Sequence, residues 1–295
     1  MADTSSSPAA PSTTTAACPT PGCSALVQLN EEHCHTCGAH TGFPNVKLAD
    51  SQRAALHARA VAARDSVIES SRATLVQFEG ALGVSHATVT VSALFATTFL
   101  ASIKNMYTSY AAQVDAGVRR PASPLDDRSR REVECRLYGN DGNKILYAAL
   151  ALDGGGLPSY GEVALRIRDH AVKGRASVLE DNSFEFSAAH RETRLPDGYL
   201  GVWGDRSEVA VAKHARDLTP SMTDDELAAL LIQSDGGRSS DKFIEVHIWG
   251  AFSREAVQSI QDISAPTDEE TAHYIALAKS KASQLGIDWV RHERS

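Results

Sequence analysis

The sequence predicts a mixed α+β fold in which a small cysteine cluster and a helical region precede a strand-rich region. Helical periodicity continues to about Val114, and short alternating segments separated by Gly, Pro and Asp follow it. The 295 residues, 42% of them hydrophobic, suffice for one large domain or two ordinary ones. A net charge of -8 with dispersed basic residues argues against a dominant nucleic-acid-binding surface.

The N-terminal segment MADTSSSPAAPSTTTAA has neither the basic nor the apolar region of a secretory signal. Its Ser, Thr, Pro and Ala bias predicts a disordered tail over residues 1–17. The most apolar later stretch, Val89 to Ile103, is shorter than the roughly 20 residues that a membrane-spanning helix needs. We therefore expect a cytoplasmic protein without a membrane segment.

Four cysteines form two closely spaced pairs, Cys18 with Cys23 and Cys34 with Cys37. This spacing predicts a zinc ribbon over residues 18–45, and the zinc would be structural because four thiolates leave no open position for a substrate. Two disulfides or free thiols are the alternatives. The absence of an export signal favours the metal.

A helical region is predicted over residues 46–130. Apolar residues recur there every seven positions: Val61, Ile68, Leu75 and Leu82. This pattern predicts a long amphipathic helix from about 48 to 82, and a second helix is predicted from about 92 to 114. The Pro-rich, charged stretch that follows is a domain boundary. The helices are expected to pair with one another or to cover the sheet, with a coiled-coil dimer as the alternative.

The region 131–295 is predicted to hold the sheet. Its strand candidates are KILYAALAL, YGEVALRIR, GRASVLE, YLGVWG and FIEVHIWG. Two helices are predicted among them, one starting at a capping box of Thr223 and Glu226 and the other at a similar pair, Thr267 and Glu270.

The last strand candidate carries two titratable residues, Glu245 and His247, in an otherwise apolar run. Alternation puts them on one face of the strand, and Ile244, Val246 and Ile248 on the other. Burying a carboxylate is costly unless it is paired. Glu245 is therefore a satisfied structural residue, an edge residue facing solvent, or a functional group in a cleft.

The ordered series LYAAL, SYGEVALRI, GRASVLEDNSF and FIEVHIWGAFSREAVQSI resembles the C-terminal domain of bacterial mono-ADP-ribosyltransferase-like toxins and effectors. The resemblance covers roughly Leu137 to Ile260 and implies a split β-sandwich that uses NAD as substrate. It implies that Glu245 is the catalytic carboxylate, which stabilises the positive charge that develops on the ribose. His247 stands where the family has a Gln or Glu that helps to select the acceptor.

The resemblance also implies a set of NAD-binding residues: Lys144, Tyr147, Tyr160, Gly161, Arg175 and Ser183. Lys144 is a departure, because the family has Arg or His near this position and lysine lacks the planar fork of a guanidinium. Together with His247 it leaves open which protein or nucleic acid is the acceptor. NAD hydrolysis or loss of activity would also be compatible with these residues.

Two classes of function follow from these patterns. The first is an NAD-dependent mono-ADP-ribosyltransferase-like protein with a structural zinc ribbon. The second is a non-enzymatic interaction protein that combines a zinc ribbon with a degenerate NAD-binding domain. A nucleic-acid-acting enzyme guided by the ribbon is a third option, which the acidic balance disfavours. The sequence does not predict the oligomeric state.

Overall fold

The structure, a computed structural model, describes residues 15–120, 123–191, 196–234, 237, 241–263, 266 and 268–291. The helices in this part of the chain are α1 (Pro44–Ser51), α2 (Arg53–Asp65), α3 (Arg72–Gly83), α4 (Ala93–Ala101), α5 (Tyr110–Asp115), α6 (Pro124–Tyr138), α7 (Asp169–Val172), α8 (Ser183–Ala189), α9 (Arg206–His214), α10 (Asp224–Leu231) and α11 (Glu269–Gln284). None of the described helices is both long and apolar enough to cross a membrane.

The strands are β1 (Thr15–Ala17), β2 (Leu26–Gln28), β3 (His86–Val91), β4 (Ile145–Ala151), β5 (Val163–Ile167), β6 (Ala176–Leu179), β7 (Leu200–Val202), β8 (Ile232–Gln233), β9 (Lys242–Phe243), β10 (Glu245–Trp249), β11 (Val257–Asp262) and β12 (Asp288–Arg291). Eight of them form one sheet in the order β12, β11, β5, β3, β4, β10, β6, β7. Adjacent strands of this sheet are antiparallel, except for the parallel pair β11 and β12.

One face of the sheet is apolar and holds the main core. The inward side chains come from alternate positions of the central strands: Ala87, Val89, Val91, Leu146, Ala148, Leu150, Val163, Leu165, Ile167, Val178, Val246 and Ile248. Helices α3, α4, α9, α10 and α11 pack on this face through buried apolar residues such as Phe78 and Phe99. Burial of this surface supplies the main stabilisation of the fold.

The opposite face of the same strands is unusually polar. Its side chains include His86, Thr88, Thr90, Tyr147, Arg166, Ser177, Glu245 and His247. A smaller apolar cluster from α1, α6 and α8 covers the end of this face around Trp249. The two faces of the sheet thus differ: one is an apolar packing surface, and the other carries polar and titratable side chains.

The predicted mixed α+β class is confirmed, since helices and an eight-stranded mixed sheet make up the described chain. All five strand candidates contain strands of this sheet. The predicted split into two facing sheets is not seen among the described residues, where the further sheets have only two strands each and helices lie on both faces of the large one.

The single long helix predicted over 48–82 is wrong. The chain forms α1, α2 and α3 instead, with a break between Asp65 and Arg72 where Ile68 is extended. The serines around the break favour it, because a side-chain hydroxyl competes for the helix backbone; that of Ser66 donates to the Ala63 carbonyl. The heptad phase is lost at this point, so that Leu75 and Leu82 are buried while Val61 and Ile68 are exposed.

The second predicted helix, over 92–114, begins correctly but is interrupted. The Ser92 hydroxyl caps α4 by accepting from the Phe95 N–H, and α5 starts anew at Tyr110. The segment before it was missed: His86–Val91 forms β3, which lies between β5 and β4 in the sheet. The predicted helical region therefore shares its core with the strands that follow.

The last two helices, α10 and α11, each begin at a residue whose side chain caps the helix. Thr223 and Glu226 form the predicted capping box at the start of α10. For α11 the cap is the Asp268 carboxylate, which accepts from the Thr271 N–H. The predicted cap Thr267 lies outside the described residues, as does most of the predicted tail, whose residues 15–17 form β1.

A pair of substitutions tests this revised packing. Phe78→Ala should lower the free energy of unfolding by about 3–5 kcal/mol, because Phe78 is fully buried in the main core. Ile68→Asp should change it by less than about 0.5 kcal/mol, because this side chain is 64% exposed. Chemical denaturation measures both. A large loss, or a change of oligomeric state, for Ile68→Asp would restore the heptad or coiled-coil interpretation.

Candidate functional site

The four N-terminal cysteines converge in space. The Cys18 and Cys37 sulfurs are 3.7 Å apart, those of Cys23 and Cys34 are 3.8 Å apart, and all four lie within 4.8 Å of one another. A tetrahedral ion with thiolate bonds of about 2.3 Å places its ligand sulfurs about 3.8 Å apart. None of these thiols is in a disulfide. The four cysteines could therefore hold a metal ion, and their spacing fits one.

Local hydrogen bonds favour the thiolate at two of the four cysteines. The backbone N–H of Ala39 and the Thr20 hydroxyl lower the pKa of Cys37 to about 6. Backbone N–H groups of Cys37 and Thr36 lower the pKa of Cys34 as well. At Cys23 a backbone N–H of Ala25 acts in the same direction, but burial and the neighbouring thiols raise the pKa to about 12. Thiolate is the form of cysteine that binds metals.

The cysteine segment is fixed to the sheet near the end of β10. The Lys144 ammonium donates to the Glu32 carboxylate at 3.1 Å, pairs with Asp141 at 3.1 Å and lies 5.4 Å from the centre of the Trp249 ring. The Phe43 ring lies 6.3 Å from that of Trp249. Lys144, expected at an NAD phosphate, thus fastens the cysteine segment to the sheet.

A cavity of about 780 Å³ lies on the polar face of the sheet, under α5, α6 and the start of α8. Its wall includes four of the sequence-predicted site residues: Tyr147, Tyr160, Ser183 and Glu245. The other four do not line it: Lys144, Gly161, Arg175 and His247. The cavity therefore brings together only half of the residues that the resemblance implied.

Glu245 is held rigidly at the cavity wall. Its Oε2 accepts from the Ser183 N–H at 2.8 Å and lies 2.9 Å from His247 Nε2. Both contacts use the same carboxylate oxygen, which leaves Oε1 for a ligand. The side chain is 5% exposed, so the carboxylate is both nearly buried and paired.

His247 lies behind Glu245 and is fully buried. Its Nδ1 contacts the Tyr138 hydroxyl in a short hydrogen bond. Burial raises the pKa of Tyr138 well above its ordinary value, so the phenol keeps its proton and donates it to Nδ1. Nε2–H then donates to Glu245. His247 thus orients the carboxylate and has no access to an acceptor, contrary to the role implied by the resemblance.

Asn45 at the start of α1 braces the same strand. Its amide nitrogen donates to the His247 carbonyl at 2.9 Å, to the Arg175 carbonyl at 3.1 Å and to Ser177 Oγ at 3.3 Å. Asn45 is fully buried. Helix α1 follows the cysteine segment directly, so this residue joins that segment to β6 and β10.

Two further predicted NAD-binding residues, Gly161 and Arg175, contact the backbone of neighbouring segments. Gly161 has φ +153°, and a Cβ there would lie 2.3 Å from the Val91 carbonyl carbon, so only glycine fits. The Arg175 guanidinium donates to the carbonyls of Ala171, Trp249 and Ala251 at 2.6, 2.9 and 3.0 Å. These contacts fix the turn after β10 and do not reach the cavity.

A second carboxylate, Glu134 on α6, lines the cavity and is 4% exposed. Burial raises its pKa to about 7, although a hydrogen bond with Tyr147 works against this shift. Burial and the carboxylates of Glu134 and Glu245 raise the pKa of Tyr147. The phenol therefore keeps its proton and donates it to Glu134.

Glu134 and Tyr138 were missed at the sequence level. They are four residues apart and so share a helix face, which also carries the buried Val133 and Leu137. A carboxylate on the apolar face of a helix was the available signal.

Two arginines, Arg119 and Arg130, also line the cavity and lie 4.9 Å from the centre of the Tyr110 ring. Both come from the stretch that the sequence marked only as a domain boundary. They place positive charge on the helical side of the cavity, opposite the sheet.

Comparison with known proteins gives no match, either to a family model or to a curated protein.

Removing one ligand tests the metal cluster. Cys34→Ser should reduce bound metal from roughly one ion per chain to none, because a three-thiolate remnant of so small a fold binds metal poorly. Elemental analysis of protein purified without chelators measures this. Cys135→Ser, an exposed cysteine outside the cluster, is the control and should keep the metal. Metal-free wild-type protein would contradict the assignment.

The pH dependence of stability tests the environment of Glu134. Its pKa rises from an ordinary 4.5 to about 7 on folding, so the folded state holds the proton more tightly. Its contribution to the free energy of unfolding is full below pH 4.5 and is lost as the pH rises through 7. Glu134→Gln should therefore be more stable than wild type at pH 8, by on the order of 1–3 kcal/mol, and equal to it near pH 4.

Denaturant titrations at several pH values measure this difference. Glu132→Gln, an exposed residue two positions away on the same helix, should leave the profile unchanged. A Glu134→Gln profile parallel to that of wild type at all pH values would contradict the burial of this carboxylate.

Proposed function

We propose that this protein is an NAD-dependent mono-ADP-ribosyltransferase-like enzyme that cleaves the bond between nicotinamide and ribose. The observation that carries the proposal is Glu245, a nearly buried carboxylate fixed by the Ser183 N–H and His247 at the wall of a cavity, with one oxygen left for a ligand. The reaction is taken from the sequence resemblance, and the cavity supports the proposal because Glu245 lines a space that a ligand could enter.

The proposed chemistry needs a carboxylate at this point. As the bond from the ribose C1′ to nicotinamide breaks, the electron pair leaves with nicotinamide and positive charge develops on the sugar. A fixed negative group in a cavity with little water stabilises that charge far more than solvent does. Oε1 of Glu245 would face the ribose, while Oε2 keeps its two protein contacts.

Glu134 is suited to the second half of the reaction. The acceptor, a hydroxyl or water, forms a new bond to C1′ through its oxygen and must lose a proton. Glu134 lines the same cavity, and its pKa of about 7 lets it take up that proton near neutral pH. In this scheme His247 positions Glu245, and the acceptor-facing group is Glu134.

Positive charge for the NAD diphosphate would come from Arg119 and Arg130, since Lys144 is engaged at the cysteine segment. A guanidinium binds phosphate oxygens through two parallel hydrogen bonds, which lysine does not. The proposal thus assigns phosphate binding to two arginines that lie outside the segments resembling the transferase family.

For the cysteine cluster we propose zinc in a structural role. Four thiolates with tetrahedral spacing favour this ion, and they leave no position for a substrate. Metal binding would supply folding free energy to a segment whose buried apolar residues are few.

Glu245→Gln tests the enzyme proposal. It should reduce nicotinamide release from NAD by about 10²-fold or more while retaining most of the stability, because the amide keeps the shape of the side chain but cannot offset the sugar cation. A matched control is Glu132→Gln, which should release nicotinamide at the wild-type rate. Product chromatography and thermal denaturation of the variants measure the two effects.

Two outcomes would contradict the proposal. Equal turnover by Glu245→Gln would make this carboxylate structural. Wild-type protein that binds NAD without releasing nicotinamide would instead be a binding-only relative, the alternative that the sequence left open.

A further inference from the structure

The cavity on the polar face has an open end and a closed end. Among the wall residues that the structure describes, four are exposed and mark the opening to solvent: Ser92, Val118, Arg119 and Glu185. The two carboxylates of the proposed chemistry are not among them, because Glu134 is 4% exposed and Glu245 is 5% exposed. The groups assigned to bond cleavage and proton uptake thus lie at the closed end.

Helix α6 shows the same gradient of exposure along one of its faces. Arg130, Glu134 and Tyr138 are spaced four residues apart and therefore share a face of this helix. Arg130 is half-buried, whereas Glu134 and Tyr138 are buried. With a rise of about 1.5 Å per residue, Glu134 lies about 6 Å further along the helix than Arg130. The helix thus runs from the opening of the cavity toward its closed end.

The arginines assigned to the NAD diphosphate lie nearer the opening. Arg119 is exposed, and the guanidinium carbons of Arg119 and Arg130 each lie 4.9 Å from the centre of the Tyr110 ring. In NAD one ribose separates the diphosphate from the C1′ atom that reacts, a length comparable to the rise from Arg130 to Glu134. A diphosphate held at these arginines would therefore put C1′ at the depth of the two carboxylates, with the adenosine half directed toward solvent.

NAD bound in this direction would close the route by which it entered. Its nicotinamide and the attached ribose would fill the closed end, and its diphosphate and adenosine would lie between that end and the opening. A group on a protein or a nucleic acid would then have no path to C1′. A water molecule would need no such path, because it occupies only about 30 Å³ and can stay beside Glu134 while NAD binds.

The surroundings of Glu134 suit a group that accepts a proton from water. Burial raises its pKa to about 7, and the charge of Asp127 acts in the same direction. A hydrogen bond with Tyr147 of β4 and the charges of Arg130 and Arg131 on α6 act against this shift. A general base is most effective when its pKa lies near the working pH, and Glu134 meets this condition near neutrality.

We propose that the acceptor is water, so that the protein hydrolyses NAD and releases free ADP-ribose. This inference rests on the proposed function and names the acceptor at the same site. The bond from C1′ to the nicotinamide nitrogen breaks, and its electron pair neutralises the pyridinium charge. The water oxygen bonds to C1′, and Glu134 takes the proton that the water loses and later passes it to solvent. NAD⁺ and water thus give nicotinamide, ADP-ribose and one proton.

Product analysis with the full chain tests the acceptor. NAD labelled in its adenine should give nicotinamide and free ADP-ribose in equal amounts, and the ratio should not change when a mixed protein lysate is added. Methanol should compete with water and give methyl ADP-ribose, because it is small enough to share the closed end with NAD. Glucose offers the same hydroxyl chemistry in a larger molecule and should give no conjugate. Chromatography and mass spectrometry measure these products.

Glu134→Gln separates the base from folding. Its kcat for NAD hydrolysis should fall by about 10²-fold, because the amide cannot take a proton from water. The rise of the wild-type kcat as the pH increases through about 7 should also be lost. The variant should be no less stable than wild type at pH 8, so that slow turnover is not caused by unfolding. Glu132→Gln, an exposed residue on the same helix, should keep the wild-type kcat and pH profile.

The results that would overturn this inference differ from those that would reject the proposed function. Label joined to a lysate protein, or to the chain itself, would overturn the water acceptor and leave the proposed transferase intact. A glucose conjugate formed as readily as the methanol product would contradict the closed end. Hydrolysis by Glu134→Gln at the wild-type rate would overturn the base. Wild-type protein that releases no nicotinamide would reject the proposed function and this inference with it.

Discussion

The hydrogen bond between Glu245 and His247 is the interaction on which the arrangement around the cavity depends. Two polar side chains on a central strand can be buried only if each finds a partner, because an unpaired carboxylate in such a position costs several kcal/mol, on the order of the stability of a whole domain. Helix α6 meets the requirement with Tyr138, and the start of α8 meets it with the Ser183 N–H. Both helices are thus joined to the central strand by polar contacts as well as by their apolar cluster.

The cysteine segment is attached to the same part of the sheet. It leads directly into α1, whose Asn45 crosslinks β6 and β10 next to His247, and its Glu32 pairs with Lys144 near Trp249. The segment has only a small apolar core of its own, formed around Cys18, Val27 and Cys34. The cysteine segment is thereby connected, through short polar contacts, to the strand that carries Glu245.

Local patterns allowed five strands of the large sheet (β4, β5, β6, β7 and β10) and the α10 capping box to be predicted, because alternation and capping are set by neighbours in the sequence. The strands β3, β11 and β12 were missed. The heptad stripe failed because Ser66 and Ile68 interrupt the helix and shift its phase. In the site, Glu245 was identifiable as a polar residue in an apolar strand. Tyr138, the partner of His247, is 109 positions from it, and no spacing rule connects residues so far apart. Lys144 and Arg175 resembled ligand-binding residues because their charge is visible in the sequence. The carboxylate and carbonyl oxygens that bind these two side chains in the folded protein are not visible there.

The two carboxylates of the cavity are held by different contacts. Glu245 accepts from a backbone N–H and lies 2.9 Å from an imidazole nitrogen, and both contacts use one of its oxygens. Glu134 has a phenol beside it, and burial outweighs that hydrogen bond in raising its pKa to about 7. Glu134 is therefore able to exchange a proton near neutral pH. Burial and both carboxylates raise the pKa of Tyr147, so its hydroxyl stays protonated and remains a hydrogen-bond donor. The strand register that puts Tyr147 opposite His247 brings this donor to the same cavity wall as Glu245, so the two strands together determine which polar groups the cavity presents.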